Sequence, residues 1–423
     1  MRILYLTWGE TPRSYGVFGS QVVAQLAHNK ELAPEAEFKL VSGVPLVHSG
    51  FVREKFEYPK ELNKLRADLD GIAFQWLPIW TTQNFVESSR RTFNLLHLGT
   101  HARLGRIFEE FGPHVVHCRS YHAAWAALQV RNTNKLDFKI IFDARGLYPE
   151  EVAHKRHFAE DGADYHYLKA VEKVLLKECD VTISVSDTMK AHFAELGGKD
   201  LPVVYLSANH EKLKRDISKP RHSDAPVRFC YVGALGERTW HKPSALGELF
   251  SCLRDFFPGS TLLIVTTSDH SLIRPHFRPC DWHHVAITSS KSVDELATHF
   301  QNVDVGLMSY FNPSSRRESK LAEMVMAVKT AEYLCAGLPV IVNKYCGGAS
   351  SIIKKYKLGI TYDPEDIQSL DAQKIRDHVY NIGTGMTISE IAQELFDYRA
   401  HAQQYVNIYR RLVHTKKQLY DIK

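Results

Sequence analysis

Short apolar runs rich in β-branched residues alternate along the chain with longer stretches of helical periodicity. In the first half the apolar runs fall at 2–8, 38–41, 71–77, 114–118, 139–143, 181–184 and 203–206, with helical patterns at 19–28 and 165–178. Near-continuous apolar strands separated by helices predict a parallel sheet, because parallel strands are buried on both faces and need long crossovers. A polar, proline-bearing stretch at 207–226 interrupts the pattern. It restarts with strands at 228–232, 261–266, 284–288, 303–309 and 339–343 and helices at 244–257 and 292–300. The expected fold class is α/β, with two Rossmann-like doubly wound domains, 1–206 and 207–387, facing a cleft at the carboxyl ends of their strands. The terminal segment 388–423 has no strand pattern and reads as one long surface helix.

A length of 423 residues, against about 150 per domain, supports two or three domains. With 44% hydrophobic and 24% charged residues, the chain can bury large cores. Its net charge of +5 is too small for a dedicated nucleic-acid binder and suits small anionic ligands or an anionic surface. The seven cysteines are scattered without CxxC spacing, which predicts reduced thiols rather than a disulfide frame or zinc site. The opening apolar run is about six residues, too short for a signal segment, and no stretch approaches the roughly 18 apolar residues of a membrane span. A cytoplasmic location is the expectation, with any membrane contact peripheral.

Three segments carry candidate chemistry. The first predicted strand runs into a loop with Gly16 and Gly19 just before a helix. Such glycines let amides and the positive helix end approach an anion or sugar hydroxyl, or they simply make a tight turn. The strand at 228–232 is followed by Gly233, Gly236, Arg238 and Lys242. Two glycines and two cations suit a diphosphate; a solvated loop is the alternative. The block VKTAEYLCAGLPVIVN at 328–343 places Lys329 and Glu332 three apart on one helix face, with a helix stop at Ala336 and Gly337.

The run K..EYL.AGLPVI, followed by Gly347, Gly348 and Gly359, resembles the donor-site signature of GT-B glycosyltransferases, specifically retaining glycosyltransferase family 4. FDARGLYPEE at 142–151 and ISVSDTMKAHFAELG at 183–197 fit the same family in order. The resemblance implies a first domain that binds acceptor, a second that binds the nucleotide-sugar donor, and a terminal helix returning to the first. It assigns Glu332 to the ribose hydroxyls and Lys329, with Arg238 or Lys242, to the diphosphate. Amides around Met324, Val325 and Met326 assist. Two positions depart from the family pattern. Eight residues before Glu332 stands Met324, with Glu323 beside it, and the usual HxH appears as His117, Cys118, Arg119, leaving His122 nearby as a candidate.

The activity implied is retaining transfer of a sugar from a nucleoside-diphosphate sugar to a glycan, lipid-linked or other acceptor. Arg238, Lys329 and His122 are the expected catalytic residues. Acceptor binding falls to Gly16, Gly19, Arg119, Arg145 and Glu150, with Asp143 and Glu151 as further carboxylates; a salt bridge is the other reading of Arg145. No cofactor or metal is expected, and Asp68–Asp70 reads as an unrelated DxD string. The stretch 88–111 sets Phe93, Leu96, Leu104 and Phe108 among Arg90, Arg91, Arg103 and Arg106. It suits either an anionic lipid surface or a core-facing helix. The expected partners are a nucleotide sugar and its acceptor, with no nucleic acid. A 2-epimerase-like enzyme and a non-catalytic sugar-nucleotide scaffold are the competing functions.

Overall fold

The computed structural model describes residues 1–14, 16–46, 58–80, 91–159, 162–216, 225–236 and 239–420. The chain divides into two compact units, Met1–Tyr205 with His401–Lys423, and Leu206–Ala400. Each carries a six-stranded sheet, and every strand pairing in both is parallel.

The first sheet contains β1 (Arg2–Trp8), β2 (Glu37–Pro45), β3 (Ala73–Ile79), β4 (Val115–Arg119), β5 (Lys139–Asp143) and β6 (Val181–Ile183) in the order β3-β2-β1-β4-β5-β6. The chain winds outward in opposite directions from β1 and β4, so the crevice beyond their carboxyl ends is the switch point of this sheet. The helix Tyr398–Tyr420 belongs to this core. Tyr405, Val406 and Tyr409 are buried with Tyr5, Phe38 and Leu40, and His117 sits between Tyr5 and Tyr405 at 4.5 and 5.2 Å.

In the second unit β7 (Arg228–Val232), β8 (Thr261–Val265), β9 (Val285–Thr288), β10 (Val305–Met308), β11 (Val340–Asn343) and β12 (Gly359–Tyr362) run in the order β12-β11-β10-β7-β8-β9. The switch point lies between β7 and β10. Gly359 starts β12 at φ +152, and a Cβ there would lie 2.1 Å from the Val340 carbonyl oxygen. Only glycine allows that approach.

Two expectations change. Residues 203–206 form no strand: Pro202 has no N–H, and Val203 makes only a single bridge to Ser184. The terminal segment is two helices, Ile382–Phe396 and Tyr398–Tyr420. Extended Asp397 breaks them and accepts the Arg399 amide at 2.9 Å. The first packs in the second unit, where Ser389 Oγ meets His210 Nε2 at 2.9 Å. The helix Arg91–Phe111 buries Leu104, Ile107 and Phe108 while Arg103 and Arg106 face solvent, as the core-facing reading of this stretch expects. Residues 81–90 and the side chains of 91–98, Phe93 and Leu96 among them, lie outside the described residues. No helix among the described residues is long and apolar enough to cross a membrane.

Candidate functional site

In the second unit β7 delivers Tyr231 and Val232 to a loop that turns at Gly233, φ +118. A Cβ at Gly233 would stand 3.1 Å from Lys329 Nζ, so the lysine occupies the space a side chain would take. Thr239 closes the loop, its Oγ1 donating to the carbonyls of Gly236 at 2.9 Å and His241 at 2.7 Å. Arg238 lies outside the described residues. Lys242 precedes the helix Pro243–Phe256 and lines a pocket of about 370 Å³ with Glu248, Phe311, Asn312, Glu318 and Tyr362.

Helix Val328–Cys335 brings Lys329 to this loop. The lysine is buried, donates to Tyr231 Oη at 2.8 Å and lies over the same ring, 4.0 Å from its centroid. Tyr231 in turn donates to the Ala234 carbonyl at 2.9 Å, tying lysine and glycine loop together. Burial pulls the Lys329 ammonium down to about 7, with Cys346, Glu332 and Cys230 pulling the other way. Glu332, on the same helix and partly exposed, is pushed up to about 7 by burial, with Lys329 opposing. Burial and the Lys329 charge hold His241 neutral, and its Nδ1 meets the Ser309 carbonyl at 2.7 Å.

Tyr333 anchors the helix, its hydroxyl accepting the Val232 amide at 2.7 Å. Met324 ends the helix Arg316–Met324, and Val325 and Met326 form the link to Val328. Gly347 packs against this region: a Cβ there would lie 2.3 Å from the Glu323 carbonyl oxygen. Tyr231, His241 and Tyr333 were not among the expected residues. An aromatic in an apolar run reads as core, and their polar partners come from other elements.

In the first unit Gly16 takes φ +64, and a Cβ at Gly19 would lie 2.4 Å from the Ser14 carbonyl oxygen, so both serve a tight strand-to-helix turn. The structure brings Arg119 and Arg145 to the carboxyl ends of β4 and β5. Arg119 Nε donates to Glu10 at 3.0 Å. Arg145 Nη1 contacts Asp143 at 3.3 Å, and its Nη2 donates to Gln21 at 3.0 Å. Burial, which would raise the Asp143 carboxyl, is outweighed by Arg145 and His117, so it stays ionised. Burial holds His117 neutral, with Tyr409 Oη 2.7 Å from Nδ1. Glu150 is drawn elsewhere, into a buried network in which Tyr165 donates to it at 2.8 Å and Lys169 lies 3.5 Å away. His122 is buried edge-on to Tyr148, with ring centroids 4.7 Å apart.

The family model described as Glycosyltransferase Family 4 matches residues 76–212, and that for the Glucosyltransferase 3-like C-terminal domain matches 280–384. No curated protein matches by sequence. Similar solved structures include sucrose-phosphate synthase from Thermosynechococcus elongatus, at 15% identity and TM-score 0.66 over 98% of this chain and 100% of that one. HepE of Anabaena in complex with UDP follows at 14% and 0.64, over 97% and 100%. The lipopolysaccharide outer core galactosyltransferase WaaB, apo form, gives 16% and 0.65, over 98% and 100%. The fold is GT-B. Part of the first unit thus matches the family 4 model and part of the second the glucosyltransferase 3-like model, each over less than half of the chain.

Proposed function

We propose that this protein is a retaining glycosyltransferase that moves a hexose from a nucleoside-diphosphate sugar to a hydroxyl of a glycan, lipid-linked or other acceptor. The observation that carries the reading is Lys329, buried on Tyr231 beside the Gly233 loop, with Glu332 one helical turn further on. A buried ammonium that makes no hydrogen bond or ion pair with a carboxylate among the described residues suits a ligand that brings negative charge. HepE of Anabaena, solved in complex with UDP and with UDP-glucose, shares the fold, which supports a nucleotide sugar as donor.

In this reading, breaking the sugar–phosphate bond builds negative charge on the leaving diphosphate, and Lys329 with Arg238 or Lys242 stabilises it. Glu332 accepts from the ribose hydroxyls. The donor phosphate takes the acceptor proton on the face from which the leaving group departs, so the anomeric configuration is kept. Arg119, Arg145 and the Gly16–Gly19 turn belong to the acceptor side. Charge neutralisation falls to side chains rather than a metal, so turnover is expected to survive EDTA.

Thermal-shift and turnover assays with UDP-, GDP-, dTDP- and ADP-sugars test the reading. A donor at 100 times its dissociation constant is expected to stabilise the protein by about 2.7 kcal/mol. Absence of binding and of turnover across the panel would overturn the proposal. Tyr231→Phe removes the hydroxyl that holds Lys329 against the loop. It is expected to weaken donor binding about tenfold or more, the scale of a hydrogen bond to a charged group. An unchanged affinity would show that Tyr231 does not position the lysine.

A further inference from the structure

We infer that the acceptor carries an anionic group, a phosphate monoester or a carboxylate, which docks on Arg119 and Arg145 at the switch point of the first sheet. The inference rests on the transferase reading above and adds the chemical class of the acceptor.

Arg119 ends β4, and its side chain is only 6% exposed. Its Nε is taken by Glu10, but Nη1 is buried and has no hydrogen-bond partner among the described residues. Arg145 uses Nη1 on Asp143 and Nη2 on Gln21, while its buried Nε is likewise without a partner. The 15-residue helix Ser120–Asn134 starts at the next residue after Arg119 with no side-chain cap, adding the positive end of its dipole. Every one of these unmatched groups is a donor. A charged, acceptor-only ligand group satisfies them better than a hydroxyl, which must also place its own proton.

The backbone is unusual at the same two strand ends. Five non-glycine residues have positive φ among the described residues. Lys135, His157 and Lys357 are helix C-caps, where the left-handed conformation is ordinary. Ser120 at +74° and Arg145 at +61° have no such reason; Ser120 directly follows β4, and Arg145 is the second residue past β5.

Glu10 shows how the site takes a carboxylate. It is 39% exposed, lies one residue past Gly9 at φ +81, and sits 3.0 Å from Arg119. With His117 neutral, two arginines face two carboxylates, Glu10 and Asp143. An incoming carboxylate that displaces Glu10 leaves this balance unchanged and a phosphate monoester adds up to one negative charge, so neither exchange leaves a guanidinium without an anion.

The test uses the full-length protein and calorimetric titration with glucose, glucose 6-phosphate, glucuronate and inorganic phosphate. Phosphatidylcholine vesicles with and without phosphatidic acid form a parallel arm. The anionic hexoses are expected to bind at least about tenfold tighter than glucose, with Arg145→Gln losing about 10- to 100-fold. Glu10→Gln, which frees Arg119, is expected to tighten binding several-fold, a gain that a merely structural Glu10 would not give. Arg145-dependent binding of phosphatidic-acid vesicles alone assigns the anion to a lipid headgroup; binding of soluble hexose phosphate assigns it to a free sugar. Equal affinity for anionic and neutral hexoses with no vesicle binding overturns the inference, as does indifference of anion binding to both Glu10→Gln and Arg145→Gln. UDP titration runs alongside: its success together with equal hexose affinities sinks this inference alone, whereas failure of all nucleotides sinks the transferase reading instead.

Discussion

Lys329→Met is expected to lower kcat/KM for sugar transfer by about 10²- to 10³-fold while making the ligand-free protein more stable at neutral pH. On the proposed donor role, the loss is that of one fixed positive group facing a leaving diphosphate. The gain follows from burial. The Lys329 ammonium is pulled from 10.5 to about 7, so between these values the unfolded chain holds a proton that the folded one has lost. Stability therefore rises with pH across that window, and below about 7 the full cost of burying the charge is present, on the order of a few kcal/mol. Glu332 acts oppositely. Its carboxyl is raised from 4.5 to about 7, so the folded form keeps a proton that the unfolded form releases, and stability falls as pH climbs through that range. The two together place a stability minimum near pH 7, the Glu332 side being shallower because that side chain is partly exposed. Methionine removes the recovery above pH 7 and lifts the curve below it. Urea unfolding of both proteins from pH 5 to about 10 checks this, and parallel curves would sink the assignment. A bound diphosphate restores the Lys329 proton, so nucleotide affinity in the wild type is expected to fall as pH rises above about 7 and to be flat in the variant.

Much of the fold is legible because strands buried on both faces read as unbroken apolar runs: RILYLTW and KIIFD announce β1 and β5 with their observed bounds. GITY does not announce β12, being four residues that begin with a glycine whose role depends on the backbone of Val340. The run around Val203 misleads in the other direction, since apolar character says nothing about the N–H that Pro202 lacks. Lys329 and Glu332 are readable as a pair because helical spacing alone sets them on one face. Tyr231 is not, because its lysine partner lies 98 positions away. Arg119 and Glu10 meet across 109 positions only because β1 and β4 are neighbours, an adjacency that strand order, not strand sequence, decides. Glu150 is a candidate acceptor ligand from its place after β5, but its partners cannot be read there. The next helix supplies Tyr165 and Lys169, which draw the carboxylate inward.

Gly306→Ala is expected to lower the melting temperature of the second unit by about 3 to 10 °C and to cut kcat/KM by about tenfold or more. Gly306 lies in β10, paired with Cys230 of β7 and Val340 of β11. The ring of Tyr333 rests directly on it, so an added Cβ would stand 2.5 Å from Cγ and 2.6 and 2.8 Å from the two Cδ atoms. That ring has nowhere to go. Tyr333 is fully buried, and its hydroxyl is fixed by the Val232 amide. Relief must come from moving the helix Val328–Cys335, at the roughly 1 to 3 kcal/mol typical of overpacking, or about 2 to 4 °C per kcal/mol for a unit of this size. The same movement carries Lys329 off Tyr231, and misplacement by about 1 Å can cost as much as 10²-fold in rate. Tyr333→Leu separates the two causes. Alone it destabilises, by opening a cavity and orphaning the Val232 amide, but combined with Gly306→Ala it removes the clash. The double variant is therefore expected to be more stable than the sum of the single losses by about 1 kcal/mol or more. Additive losses, or a Gly306→Ala protein that melts with the wild type, would show that strand and ring do not hold this helix in place.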